Sequence, residues 1–300
     1  MLFEHTAIDE NGGKFQMLPK IKNSILFKYA AELLTRYKND DLSGMSAQIT
    51  YYLILAFFPF LLFVINLLSF TSLSSAAFIA SVNNLLPTDT GVLIKNLLIE
   101  TVQGKSEALL ILGMIGSLWA SSQGINALIH GLNKAYSTVE TRHFTKLYLI
   151  SLIATFGVAL MIVFDFTLVV FGKLIAAYLF ELAGVKAFFY TVWGIIRYAI
   201  PLPLMLLTFY LLYAYVPNKK LKTTYIIIGS IFASGGWLSA SLLFSFYVNM
   251  FSNYEKIYGS IGGIIALMTW LYLSTLIILL GGELIAIISY FENKKDDSSI

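Results

Sequence analysis

Three ionisable side chains, Asp165, Arg197 and Glu283, stand inside stretches that are otherwise apolar. A lone charge at hydrocarbon depth costs several kcal/mol unless it is paired or wetted. Each therefore requires a partner or a water-lined wall. If the stretches holding Asp165 and Arg197 are successive antiparallel helices, the two charges lie about 10 Å and roughly 14 Å below one membrane face. They are expected to meet. Two readings stay open: a buried ion pair that fixes helix register, or one polar wall of a cavity that receives a charged or zwitterionic substrate. Glu283 follows Gly281 and Gly282, and Gln123, Asn126 and His130 fall at a similar depth on another apolar stretch. These four are expected to form a polar cluster, either through ordinary interhelical hydrogen bonds or as a proton relay through Glu283. The substrate-pathway residues are thus Asp165, Arg197, Glu283, Gln123 and Asn126. Pro59, Pro201 and Pro203 interrupt two apolar stretches and mark places where a helix can bend or loosen.

Other chemistry is excluded by what the chain lacks. It has no cysteine and only three histidines, His5, His130 and His143, without metal-ligand spacing. No phosphate-cradling glycine loop ends in Lys-Ser or Lys-Thr, and no Gly-x-Ser-x-Gly is present. The acidic cluster that a metal-dependent nuclease needs is missing too. The expectation is no enzyme, no catalytic residues, no metal and no cofactor. A formal charge of +3 is too small to point to nucleic acid.

The elements that position these side chains follow from composition. The chain is 58% hydrophobic and 12% charged over 300 residues. A soluble domain is about twice as charged. Too little polar surface remains to cover a water-facing sphere, so lipid must be the solvent for much of the chain. Six stretches can each cross a core that takes about 20 helical residues: Ile49–Phe70, Ala108–Ile129, Leu147–Phe171, Phe188–Val216, Tyr225–Met250 and Ile257–Ser289. Lys14, Lys20, Lys22, Lys28, Arg36, Lys38, Lys134, Arg142, Lys146, Lys219, Lys220, Lys222, Lys294 and Lys295 fall on one side of this topology. The other side holds Lys95, Lys105, Lys173, Lys186 and Lys256. Positive charge collects in the cytoplasm, so both termini are expected inside. Tyr148, Tyr210, Tyr213, Tyr215 and Tyr290 are expected at the inner interface. No secretory leader is legible near the start, so insertion is expected to begin at the first span.

Amphipathic surface helices complete the pattern. Asn23 or Ser24 is expected to cap a helix through Lys38, its apolar stripe formed by Ile25, Tyr29, Leu33, Leu34 and Tyr37. Lys28, Glu32, Arg36 and Lys38 on its other face suit an anionic leaflet. Ser74–Leu86 and Asp89–Val102, separated by Pro87, read as two short helices at the outer face. Small residues at four-residue spacing (Gly229 with Ala233, Gly235 with Ser239, Gly259 with Gly263) let backbones approach, within the chain or at a homodimer contact. The fold class is all-α and polytopic. Residues 1–48 form a cytoplasmic segment with an interfacial helix, 49–290 a six-helix transmembrane domain, and 291–300 a cytoplasmic polar tail.

Several stretches resemble the YihY/BrkB family of bacterial inner-membrane proteins, formerly labelled ribonuclease BN. They are Ser46-Ala47-Gln48-Ile49-Thr50-Tyr51-Tyr52 with Phe57-Phe58-Pro59, Leu118-Trp119-Ala120-Ser121-Ser122-Gln123-Gly124, and Leu132-Asn133-Lys134-Ala135-Tyr136. Tyr213-Ala214-Tyr215-Val216-Pro217-Asn218, Tyr258-Gly259-Ser260-Ile261-Gly262, Trp270-Leu271-Tyr272 and Gly281-Gly282-Glu283-Leu284 continue the match. Gln123 stands where that family often carries Arg, and Ile285 where Asn is common. The resemblance implies a six-helix, multi-pass protein of the bacterial plasma membrane and points to envelope lipid handling. With the charges and prolines above, it gives a first expectation: a transporter or flippase-like protein for a lipid or amphiphilic anion. Its expected partners are membrane lipids and a second copy of the chain. The alternative is a non-transporting scaffold for envelope enzymes; a membrane ribonuclease is disfavoured.

Overall fold

A computed structural model describes residues 25–70, 106–161, 201–250 and 260–297. Asp165, Arg197 and the two expected outer helices lie outside the described residues. Among the described residues the chain is helical: α1 Ile25–Asn39, α2 Leu42–Phe70, α3 Glu107–Ala135, α4 Phe144–Met161, α5 Pro201–Tyr215, α6 Thr223–Met250 and α7 Ser260–Asp297. Five of these (α2, α3, α4, α6 and α7) are long and apolar enough to cross a membrane. The fourth expected span is represented by α5, and its remainder lies outside the described residues. No strand occurs among them.

Local chemistry sets the helix ends. Between α1 and α2, Asp41 adopts φ 54°, and its Oδ1 accepts the Gly44 N–H at 3.2 Å, capping α2. Ser106 caps α3 by accepting the Leu109 N–H at 3.3 Å. At the other end of α3, Ser137 N–H donates to the Lys134 carbonyl and Thr138 N–H to the Asn133 carbonyl. That pair of bonds is a Schellman motif, with Ser137 in the left-handed position at φ 49° where glycine is usual.

Glycine decides how closely the rods pack. A methyl on Gly113 of α3 would lie 2.6 Å from the Phe63 nitrogen and 2.8 Å from the Pro59 carbonyl oxygen of α2. The α2 and α3 backbones therefore touch, and α2 continues through Pro59 to Phe70. Gly229 of α6 faces the Ile285 side chain and the Gly281 carbonyl of α7. Ile285, where the related family favours Asn, thus fills a glycine notch. The packing expected of Gly229 with Ala233 is present, since Ala233 also meets Gly281. Gly235 and Gly263 instead face open space.

Helix α7 is the hub. Its 38 residues extend about 57 Å at 1.5 Å per residue, beyond a hydrocarbon core of about 30 Å. The helix runs past Tyr290, where the sequence pattern ends the span. The projecting part receives α1 through an edge-to-face contact of Tyr29 with Phe291. Within the bundle, α7 bonds α2 and α6 through hydroxyls and indoles. Thr275 bonds the Ser46 carbonyl at 3.2 Å and Thr50 at 3.3 Å, and Tyr272 meets Ser43 at 2.9 Å, all on α2. Toward α6, Trp237 donates to Ser274 at 3.0 Å and Trp270 to Ser241 at 3.3 Å, while the two indoles pack edge to face. Away from the hub, large apolar side chains such as Phe58, Leu112, Ile153 and Leu242 are more than half exposed. Such a surface is stable against lipid, not water.

Candidate functional site

The functional features gather at the end of the bundle where the 136–143 and 216–222 connections lie, here called the loop end. Glu283 is fully buried at this end, one helical turn past Leu279, which fills the space beside Gly131. Its Oε2 accepts from Arg36 Nη1 of α1 at 3.3 Å. The same Arg36 donates through Nη1 to the Ala135 carbonyl at 3.3 Å and through Nε to Glu32 at 3.1 Å. Asp40 neighbours the Glu283 carboxyl. It also binds Lys134 of α3, whose Nζ lies 2.7 Å from the Asp40 carbonyl and 3.9 Å from its carboxylate. Glu283 Oε1 has no hydrogen-bond partner.

Beside this charged group the two connections are stitched together. Glu140 Oε2 accepts from Asn133 at 2.7 Å and from Arg142 Nη2 at 2.6 Å, and its Oε1 accepts from Arg142 Nε at 2.8 Å. Hydrogen bonds from Arg142 hold the Glu140 carboxyl down at about 2. Arg142 reaches on to the Val216 carbonyl at 3.0 Å, and Asn133 Oδ1 accepts the Asn218 N–H at 2.7 Å. Lys219 donates to the Tyr136 carbonyl at 3.1 Å, and burial pushes the Tyr136 phenol above its ordinary value. Tyr213, fully buried, donates to the Ile278 carbonyl at 2.7 Å and so ties α5 to the hub.

An apolar cavity of about 460 Å³ opens between α3, α4 and α5. Its lining includes Ile125, Ile150, Ala154, Gly157, Leu211 and Leu212. A side chain added at Gly157 would meet nothing within 4 Å. Thr208 also lines the space, but its hydroxyl is spent on the Leu204 carbonyl at 2.9 Å. The cavity therefore offers dispersion contacts and almost no polarity.

The family model described as "Virulence factor BrkB" matches residues 33–299. The chain belongs to the BrkB family. A putative ribonuclease-like protein, YfkH of Bacillus subtilis (strain 168), is 36% identical over 270 residues, covering 90% of this chain and 98% of the relative. A UPF0761 membrane protein of Aeromonas salmonicida (strain A449) is 26% identical over 272 residues, covering 88% and 90%. Another, from Alteromonas mediterranea, is 25% identical over 269 residues, covering 87% and 88%. No solved structure matches. With its apolar helices, this BrkB-family chain is a multi-pass bacterial membrane protein.

Three of the stretches that carry the BrkB resemblance converge. Leu132–Tyr136, Tyr213–Asn218 and Gly281–Leu284 meet at the loop end: Gly282 packs on Leu132, Gly281 on Tyr213, and Asn218 on Asn133. Of the residues expected on a pathway, Gln123 and Asn126 are half-buried on α3, and Asn126 Oδ1 and the neighbouring Ser122 hydroxyl are unpartnered. Glu283 bonds Arg36, not this pair, and His130 is exposed. Asn126 stands nine residues before Ala135, about 13 Å higher along α3. Pro59 packs on Gly116 of α3, and Pro201 and Pro203 fall in the first described turn of α5.

Two sequence expectations need correcting. Arg36 does not face an anionic leaflet, because it turns inward to Glu283 and the end of α3. Tyr213 is core, not interfacial belt. A signal for Arg36 was present: it follows Glu32 by four residues and lies beside Tyr37 and Leu33 on the apolar side of α1. A buried carboxylate without a cation elsewhere on the inner half should have drawn it.

Proposed function

We propose that this BrkB-family protein handles a lipid or amphiphilic anion, carrying it across or within the bacterial plasma membrane with both chain ends in the cytoplasm. The observation that carries the reading is the apolar cavity between α3, α4 and α5, of a size typical of small-molecule sites. It lies beside a loop end rich in Arg and Lys. An acyl chain fits the cavity chemically, since the lining is almost wholly apolar. An anionic headgroup fits the basic end. In this reading the protein is no enzyme, uses no cofactor, and takes membrane lipids as its partners. Gln123, Asn126, Asp165 and Arg197 are assigned to the polar part of the pathway.

The test uses the full chain in liposomes with a fluorescent anionic phospholipid, following its transfer between leaflets. Wild type is expected to exceed empty liposomes, and Gly157→Phe to abolish the excess while leaving thermal stability within a few degrees. Transfer equal to empty liposomes, or unaltered by Gly157→Phe, refutes it.

The tight stitching of Asn133, Glu140, Arg142 and Asn218 favours a second reading, a non-transporting scaffold whose rigid loop end docks an envelope enzyme. Capture of one stoichiometric partner, lost on Asn218→Ala without any change in lipid transfer, would support it.

A further inference from the structure

We infer that the Glu283 carboxylate, with Asp40 and the carbonyl end of α3, forms a binding site for one monovalent positive charge, an alkali cation or a proton. Among the described residues, charged and titratable groups face the site from every element packed there. Helix α1 and its following turn bring Glu32, Arg36 and Asp40. Helix α3 brings Lys134 and the Ala135 carbonyl, with His130 exposed one turn earlier. Helix α7 brings Glu283, and α5 brings Tyr213, whose hydroxyl is committed to Ile278. Among the described residues three carboxylates thus face two cationic side chains, an excess of one negative charge. The carbonyl ends of α1 and α3 point here as well and add partial negative charge.

A ligand is indicated independently by the state of Glu283. Its side chain is 0% exposed, yet Oε1 accepts no hydrogen bond. A fully buried carboxylate oxygen without a donor loses its hydration and gains nothing back. A bound positive charge at Oε1 repairs both the missing contact and the charge imbalance. Among the described residues no three acidic or histidine side chains gather closely enough to hold a metal ion. A divalent cation is therefore the poorer match, and a single charge shared by two carboxylates and a carbonyl is the better one. Lys134, with 43% of its side chain exposed and its carboxylate contact at 3.9 Å, is screened and compensates only part of the deficit.

The experiment measures the thermal transition of the full chain in detergent at fixed ionic strength. Sodium or potassium chloride is exchanged for choline chloride, at pH 8 and at pH 6. Wild type is expected to gain about 5 °C from a saturating ligand. The gain comes with sodium or potassium over choline if the ligand is an alkali cation. It comes on moving to pH 6, whatever the salt, if the ligand is a proton. Glu283→Gln is expected to remove the dependence. Asp40→Asn, which leaves the Arg36–Glu283 pair in place, is expected to weaken it at least threefold in half-saturating concentration. Arg36→Gln is expected to steepen it, which a purely structural role for Glu283 does not predict. Wild type indifferent to both cation and pH overturns the proposal. So does a dependence that Asp40→Asn leaves unchanged, a comparison that stands even if Glu283→Gln fails to fold.

Discussion

Removing the Glu283 side chain as Glu283→Ala leaves Arg36, 17% exposed, facing Asp40 and Glu32 across a hole. Breaking a buried pair on one side costs about 3–5 kcal/mol, and partial solvent access lowers that here to about 2–3 kcal/mol. The thermal transition in detergent is expected to fall accordingly. Replacing both partners, Arg36→Met with Glu283→Leu, is expected to recover at least half of the loss, because neither charge is then stranded. A double variant no better than Glu283→Ala would refute this account. Glu140 makes the second residue-scale prediction. Arg142 depresses its folded value to about 2, against an ordinary 4.5. The stabilisation it provides is complete above pH 4.5 and is lost as pH falls toward 2, because the unfolded chain takes up the proton first. Solvent at the loop end screens it to about 1 kcal/mol. The gap between wild type and Glu140→Gln, read from thermal transitions, is expected to narrow as pH falls through 4.5 and to close only toward pH 2.

At the scale of elements, the packing rests on places where a helix presents no side chain. A methyl at Gly281 would overlap the Tyr213 hydroxyl, which α5 uses to bond the hub. Gly281→Ala is therefore expected to destabilise by about 1–3 kcal/mol. Gly263→Ala, facing open space, should change little in the same melting assay. The element boundaries also show what a sequence can carry. Apolar runs reveal α2, α3, α4, α6 and α7 because a bilayer imposes length and composition on each span separately. Whether Gly235 or Gly229 faces a neighbour is invisible there, since the four-residue spacing is the same and only three-dimensional contact tells them apart. Arg36 was misread for a related reason. Periodicity places it beside the apolar stripe of α1, but the partner that turns it inward is a carboxylate 247 residues away in the chain.

For the whole molecule, α7 is the shaft to which α1, α2, α5 and α6 are each fastened by a different bond, and α3 by the packing of Leu279 on Gly131 and of Leu132 on Gly282. The loop end, where three of the family-resembling stretches meet, is the best-tied region among the described residues. Four of the positive charges that the span order assigned to one side, Arg36, Lys134, Arg142 and Lys219, all bond across connections at that end. Which charged groups meet, and that a slot of about 460 Å³ opens between α3, α4 and α5, were not legible, because both depend on how rods of similar composition are rotated about their axes. The distance in sequence between Arg36 and Glu283 has a consequence for biosynthesis. The ribosome delivers the guanidinium near the beginning of translation and its acid almost at the end. Until the last rod enters the translocon, α1 has the end of α3 to bond but lacks Glu283 and Phe291. A nascent chain halted before residue 260 is expected to leave α1 open to protease cutting near Lys28 and Lys38, while the finished chain resists it. If that difference is found, the pairing marks completion, and proteolytic surveillance would meet finished and abandoned molecules differently.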